Sequence, residues 1–163
     1  MLDTGGLYGN VPRSVPMSPD APGPSAAATD QIVELLSAYV EQSAFCAHLG
    51  LRPDLIELDH VRLSMPFADP LVTVGDVVHG GAISSLIDTA ATVAAWSGLE
   101  SAEGARGTTV SLTVSFLAAA RGQDLTADAR VVRRGRSICF CEVDVTGADG
   151  GTLAKGLVTY KLG

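Results

Sequence analysis

The long apolar stretch that begins at Gly80 constrains the fold of this chain more than any other feature. From Gly80 to Ser97 apolar residues recur at helical spacing, and the opposite side of the predicted helix is only weakly polar. Because both sides need cover, the sequence predicts a central helix buried by the rest of the chain. The apolar side is formed by Ile83, Leu86, Ile87, Ala90 and Ala94, and the weakly polar side by Ser84, Ser85, Asp88 and Thr92.

The segments on either side of this helix predict strands. Residues 55–67 alternate between apolar and polar side chains before the helix, and Pro66 ends that strand or confines it to an edge. A curved antiparallel sheet wrapped around the helix is the best way to bury it, so this order predicts an α+β fold. The four strands predicted after the helix are residues 108–117, 125–133, 138–145 and 152–161.

The beginning of the chain has a different composition from the rest. Residues 1–28 are rich in Pro, Gly and Ala, which is typical of a flexible tail. Thr29 or Asp30 can cap a helix that ends near Gly50. With 163 residues and 47% hydrophobic content, we expect one domain over residues 29–163.

Composition excludes several kinds of partner. A net charge of −7 and a pI near 4.7 argue against a nucleic-acid or anionic-membrane surface. No run approaches the ~18 consecutive apolar residues of a membrane span. Three cysteines without a secretory leader predict reduced thiols and a cytoplasmic protein. Cys139 and Cys141 lack further ligands nearby in the sequence, so we expect no metal.

Two features of the predicted central helix point to chemistry. Gly80 and Gly81 open the helix, where the first N–H groups have no acceptor within the helix and favour a carbonyl oxygen that gains negative charge. Asp88 places a carboxylate among buried residues, where it can act as acid, base or nucleophile. The structural alternative is a carboxylate held only by the hydroxyls of Ser84, Ser85 or Thr92.

The spacing of these two features predicts an oligomer. Gly80 and Asp88 are separated by about 12 Å of helix axis, which a short Asp side chain cannot bridge. If both groups serve one reacting centre, a second copy must run its helix antiparallel to the first. Asp88 of one subunit then faces Gly80 of the other, which makes an obligate dimer with two shared sites.

Basic residues concentrate in one part of this acidic chain. A local basic patch fits a small phosphorylated ligand, although an ordinary solvated hairpin has the same composition. The patch contains five of the eleven Lys and Arg residues: Arg121, Arg130, Arg133, Arg134 and Arg136.

Taken in order, these segments resemble the hotdog-fold acyl-CoA thioesterases, in particular the group typified by phenylacetic-acid-pathway thioesterases. The resemblance spans roughly residues 50–163. It implies an antiparallel sheet around a long central helix, and hydrolysis of an acyl-CoA to free acid and CoA. It implies no cofactor apart from the coenzyme A of the substrate, and dimers that commonly pair into tetramers. The matching segments are Gly75–Gly81, Leu86–Asp88, Phe116–Gly122 and Arg134–Ser137.

The resemblance also implies roles for single residues. The Gly80 N–H would polarise the thioester carbonyl, and Asp88 of the opposing subunit would act as general base or nucleophile. Thr109 matches a strand Ser or Thr that helps hold the water, and His79 would position the glycine loop. Thr73 stands where many relatives have Asn, so it fills that role weakly or not at all. Substrate contacts are expected from Gly81, Arg121, Arg134, Gly135, Arg136 and Ser137.

Other functions remain open at this point. The replacement at Thr73 suggests a non-catalytic acyl-CoA binding or sensing module that uses the same groove. A dehydratase or hydratase of acyl thioesters ranks lowest, because His79 adjoins the glycine donor instead of pairing with the carboxylate. The acyl group stays undefined, since small residues such as Ala90, Ala91 and Ala94 permit aromatic or aliphatic chains.

Overall fold

A 17-residue helix packs against one face of a six-stranded antiparallel sheet in the computed structural model, which describes residues 28–163. The helices are α1 (Asp30–Gln42), α2 (Ala44–Leu49) and α3 (Gly80–Trp96). The strands are β1 (Arg52–Glu57), β2 (His60–Met65), β3 (Val72–Val74), β4 (Val77–Val78), β5 (Gly107–Phe116), β6 (Leu125–Arg134), β7 (Ile138–Gly147) and β8 (Thr152–Leu162).

The sheet topology puts the first strand after α3 at an edge. The strand order is β1-β2-β6-β7-β8-β5, with antiparallel pairing throughout, so β8 lies between β7 and β5. The short β3 and β4 form a separate hairpin that leads directly into α3. This arrangement confirms the predicted α+β fold, in which the sheet packs around one long helix.

The helix α3 is buried because it lies very close to the sheet. Leu86, Ile87 and Val93 are fully buried, and burying each such side chain contributes about 1.5–3 kcal/mol. A Cβ on Gly156 of β8 would lie 2.4 Å from the Ile87 Cγ2 atom, so only glycine permits this approach. The predicted apolar side of the helix is buried, and Asp88 on the other side is only half-buried.

The strand predicted over residues 55–67 is the second half of a hairpin. The structure has two strands here, β1 and β2, joined by a turn at Leu58 and Asp59. Asp59 adopts a left-handed conformation with φ of 61°, which Asp tolerates better than most residues. The prediction missed β1 because Pro53 and the mixed pattern around it hide the alternation.

The helix predicted from Thr29 or Asp30 to Gly50 is interrupted. The Thr29 side chain accepts a hydrogen bond from the Ile32 N–H, as predicted for a cap, but α1 ends at Gln42. The chain then continues as α2 up to Gly50, whose φ of 70° ends it. The predicted flexible tail, residues 1–28, lies outside the described residues except for its last residue. None of the helices over residues 28–163 has the length and apolar character needed to cross a bilayer.

Candidate active site

The N-terminus of α3 leaves one backbone donor free. His79 caps the helix, since its Nδ1 accepts the Gly81 N–H at 2.8 Å. The His79 carbonyl accepts the N–H groups of Ala82 at 2.9 Å and Ile83 at 3.2 Å. Of the first four N–H groups of the helix, only that of Gly80 has no acceptor among the described residues. A partial positive charge therefore points outward at Gly80.

Gly80 lines a groove of about 330 Å³ whose lining residues are mostly apolar. Thr73 lies in its wall, so the structure brings together two residues that the sequence predicted for the site. A Cβ on Gly80 would lie 3.1 Å from the Phe116 Cζ atom, which is tighter than ordinary van der Waals contact. The groove is lined by Thr73, Val77, Val78, Gly80, Ile83 and Phe116–Ala120.

Asp88 lies two turns further along α3 and contacts the edge strand β5. Thr109 Oγ1 donates a hydrogen bond of 2.6 Å to Asp88 Oδ1. The described residues provide neither a cation nor a second hydrogen-bond donor for this carboxylate. The structure thus joins Asp88 with Thr109, and leaves one carboxylate oxygen available.

The serine hydroxyls of α3 do not hold Asp88. Ser84 Oγ donates to the Gly80 carbonyl and Ser85 Oγ to the Gly81 carbonyl, both at 2.8 Å. These are bonds to the preceding turn of the same helix, which serine makes readily. The structural alternative from the sequence therefore named the wrong hydroxyls, because the partner comes from β5.

Two tyrosines near Asp88 were missed by the sequence analysis. Burial, followed by the negative charges of Cys46, Tyr160 and Asp88, raises the pKa of Tyr39. Burial and the Asp88 charge also raise the pKa of Tyr160, against the opposing effect of a hydrogen bond from Trp96. The sequence did contain a signal for Trp96, the hydrogen-bond partner of Tyr160. It follows Asp88 by eight residues, and this helical spacing places both on the same face of α3.

The predicted phosphate contacts divide into two places at opposite ends of α3. Arg121 lies near the helix N-terminus, where its Nη1 donates to Asp76 at 2.9 Å and its side chain is 62% exposed. The turn containing Gly135, Arg136 and Ser137 joins β6 to β7, beyond the helix C-terminus. Arg136 is exposed, with no partner in the described part of the chain.

Arg134 differs from the other arginines because its guanidinium donors already form hydrogen bonds within the chain. Its Nε and Nη2 donate to Asp59 Oδ1 at 2.9 and 2.5 Å. Nη1 donates to the Ala95 carbonyl at 2.8 Å and lies 3.4 Å from Cys139 Sγ, and Nη2 reaches the Ala94 carbonyl at 3.1 Å. All five N–H donors of the guanidinium thus have partners, which lie at the C-terminal end of α3, in the β1–β2 turn and on β7.

Comparison with known proteins identifies the family. The model of the thioesterase superfamily matches residues 75–154, which include Gly80, Asp88 and Thr109. A Halobacterium salinarum protein named as a candidate esterase is 37% identical over 119 residues, covering 71% of this chain and 78% of that protein. Human acyl-coenzyme A thioesterase 13 is 33% identical over 88 residues, covering 53% of this chain and 61% of that protein.

A solved structure shows the same architecture. The E. coli PaaI protein from the phenylacetic acid degradation operon superposes with a TM-score of 0.72 at 21% identity. The superposition covers 82% of this chain and 94% of that protein. This similarity shows the fold alone.

A six-stranded antiparallel sheet packed around one long helix, with a glycine donor at the start of that helix, defines a hotdog-fold protein. The chain belongs to the thioesterase superfamily, which confirms the resemblance seen in the sequence. Thioester hydrolysis is therefore its general class of reaction.

Proposed function

We propose that this chain hydrolyses acyl-CoA thioesters to the free acid and CoA, in a site shared by two copies. The observation that carries the proposal is that the Gly80 N–H at the start of α3 has no acceptor among the described residues and that Gly80 lines a groove. Such a donor stabilises the oxyanion that forms when a thioester carbonyl is attacked. The relative named as an acyl-coenzyme A thioesterase supports CoA as the thiol part of the substrate.

The exposed edge of the sheet supports a second copy. The strand β5 carries three large apolar side chains that are exposed to solvent. Val110 is 59% exposed, Leu112 37% and Phe116 54%. A long edge strand with exposed apolar side chains is a strong candidate for pairing with another chain. Antiparallel pairing of two β5 strands around a twofold axis would cover these residues and bring two α3 helices together. Asp88 of one copy could then face Gly80 of the other.

The proposed reaction uses the two groups in sequence. Asp88 takes a proton from a water molecule, whose oxygen attacks the thioester carbon. The resulting oxyanion accepts the Gly80 N–H of the other subunit. When the C–S bond breaks, the leaving thiolate takes the proton back from Asp88, so free acid and CoA thiol are formed. Thr109 holds one Asp88 oxygen and leaves the other to contact water.

A second version of the chemistry uses Asp88 as nucleophile. Its carboxylate then attacks the thioester carbon and expels the thiolate, which forms an acyl anhydride, and water hydrolyses this anhydride at the Asp88 carboxyl carbon. Hydrolysis in ¹⁸O-labelled water under single-turnover conditions separates the two versions. The nucleophilic version places the first ¹⁸O in Asp88, whereas the general-base version places it in the acid product.

We propose separate tasks for the basic residues. Arg121 and Arg136 are exposed and can contact the phosphates of CoA, with Gly135 and Ser137 beside them in the turn. Arg134 instead positions this turn, because its guanidinium is held by Asp59 and the end of α3. Gly81 has no side chain, so the substrate can approach the backbone closely beside the Gly80 donor.

The test is CoA release, measured with a thiol reagent over a panel of acyl-CoA substrates. Asp88→Asn keeps the shape of the side chain but removes the base, so kcat falls by about 10²–10⁴-fold. Glu41→Gln, at an exposed position of α1, is the matched control and keeps wild-type activity. Equal turnover by Asp88→Asn, with the fold intact by circular dichroism, would remove Asp88 from the mechanism.

The alternative is an acyl-CoA binding module without turnover. It is favoured by Thr73, a short hydroxyl in the groove wall where a longer amide would reach further. Tight binding of acyl-CoA by calorimetry, with no CoA release at enzyme concentrations near those of the substrate, would support this alternative. Multiple turnover excludes it.

A further inference from the structure

A second cavity lies along α3 beyond Asp88 and shares no lining residue with the Gly80 groove. It has a volume of about 370 Å³ and is lined by residues of α1, α3, the start of β5 and the end of β8. No side chain in its lining carries a formal charge. The residues that matter for its shape are Leu35, Tyr39, Thr92, Trp96 and Tyr160.

Two residues that line the cavity lie on the same face of α3 as Asp88. Thr92 and Trp96 follow Asp88 at intervals of four residues, so all three lie along one face of α3. Tyr160 pairs in register with Thr109, whose hydroxyl contacts Asp88. A group held near Asp88 can therefore extend along α3 into this space without crossing a strand.

Two of the residues that line the cavity, Trp96 and Tyr160, are aromatic and contact each other. Trp96 Nε1 donates a hydrogen bond of 2.8 Å to the Tyr160 hydroxyl, which fixes both rings. At roughly 30 Å³ for each non-hydrogen atom, the cavity has room for on the order of a dozen atoms. An apolar group of medium length fits that volume, whereas a long fatty chain exceeds it.

We propose that this cavity binds the acyl group of the substrate and restricts it to apolar groups of medium size. The inference rests on the proposed acyl-CoA hydrolysis and names the class of acyl group that this site accepts. Octanoyl and phenylacetyl groups have the required size and apolar character. An acetyl group leaves the cavity empty and forgoes the free energy of burial, and a palmitoyl group is too long for the Trp96 end.

Leu35 is a position at which a mutation can fill this cavity without disturbing the core. It lines the cavity from α1, and its side chain is 44% exposed, so a larger residue can be accommodated there without unfolding. Leu35→Trp would fill the cavity. Glu34→Trp places the same bulk at the neighbouring exposed position of α1, outside the lining, and is the matched control.

The experiment compares kcat/KM for acetyl-, octanoyl-, phenylacetyl- and palmitoyl-CoA in the full-length wild type and both variants. We expect the wild type to prefer octanoyl- or phenylacetyl-CoA over the other two by at least about tenfold. Leu35→Trp loses about tenfold or more on the preferred substrates and less than about threefold on acetyl-CoA. Glu34→Trp retains the wild-type preference. Thermal unfolding confirms that both variants are folded.

The possible failures can be told apart. Absence of CoA release from every substrate by the wild type overturns the proposed function, and the inference with it. Hydrolysis with no preference for medium acyl groups overturns the inference alone. So does hydrolysis in which Leu35→Trp and Glu34→Trp show the same profile.

Discussion

Thr109 donates a hydrogen bond of 2.6 Å to Asp88, and this contact joins the edge strand β5 to the middle of α3. A hydrogen bond to a carboxylate is among the stronger ones in proteins, and it fixes the direction of the side chain. Among residues 28–163 only one oxygen of Asp88 is held in this way, so the other has a defined position from which to contact water or substrate.

Removal of the Thr109 hydroxyl tests whether this contact positions the carboxylate. Thr109→Val keeps the side-chain shape and lowers kcat by about tenfold, since a hydrogen bond to a charged group contributes about 1.5–3 kcal/mol. Thr109→Ser retains the hydroxyl and restores most of the activity, with KM little changed in both variants. Steady-state kinetics measure both values. Equal kcat for Thr109→Val and wild type would contradict a positioning role.

Replacement of Gly80 by proline removes the proposed oxyanion donor with little disturbance. Gly80 is the first residue of α3, where proline is well tolerated, and His79 has the extended conformation that precedes proline, with φ of −64° and ψ of 134°. We expect kcat to fall by about 10²-fold or more. Gly80→Ala keeps the N–H and presses only on the half-exposed Phe116, so it loses far less. Similar losses in the two variants would show that the N–H is not the critical group.

Replacing Arg134 should affect stability, whereas replacing Arg136 should affect substrate binding. Arg134→Met leaves Asp59 and two helix carbonyls without their donor, and lowers the free energy of unfolding by about 2 kcal/mol. Arg136→Met leaves stability unchanged and raises KM for acyl-CoA. Urea unfolding and steady-state kinetics measure these effects. A fully stable Arg134→Met with a raised KM would instead make Arg134 a phosphate contact.

The lowered pKa of Asp128 predicts that this residue contributes to stability in a pH-dependent way. Burial alone would raise its pKa, but hydrogen bonds from His60 and Arg62 lower it below the usual 3.8. The ionised form is thus favoured in the folded state, and its contribution is complete above pH 3.8 and is lost as the pH falls through the lower folded-state pKa.

Asp128→Asn should therefore cost up to about 1 kcal/mol of unfolding free energy at pH 7, and progressively less below pH 3.8. Asp69→Asn, at an exposed residue that makes no salt bridge in the described part of the chain, shows no such trend. Urea unfolding at a series of pH values measures it. A difference that is constant with pH would rule out this linkage.

Much of the fold was predictable because its signals are local. The period of two in β6, β7 and β8 and the helical period of α3 each occur within a single element, and the structure confirms them. The hairpin of β1 and β2 was missed because Pro53 obscures the alternation in its first strand. The apolar alternation of β5 was recognised, but it does not mark burial within one chain, since Val110 and Phe116 are exposed.

The candidate site was less predictable because its contacts join distant segments. The sequence could name Asp88 and Thr109, but not that the threonine hydroxyl would be the partner of the carboxylate. Nor could the sequence show that the Arg134 guanidinium would donate hydrogen bonds to the carbonyls at the end of α3. Ala90, Ala91 and Ala94, which the sequence suggested would permit aromatic or aliphatic acyl chains, are fully buried, and the cavity proposed for the acyl group is lined instead by residues of α1 and by Trp96.

The most direct test of the shared site is activity in mixed dimers. Asp88→Asn and Gly80→Pro are each inactive alone, but a dimer with one chain of each contains one site with both an intact Asp88 and an intact Gly80. After unfolding and refolding together in equal amounts, we expect about a quarter of the wild-type activity per protein, since about half of the dimers are mixed and each has one working site. Mixed dimers confirmed by native mass spectrometry but without activity would contradict the account.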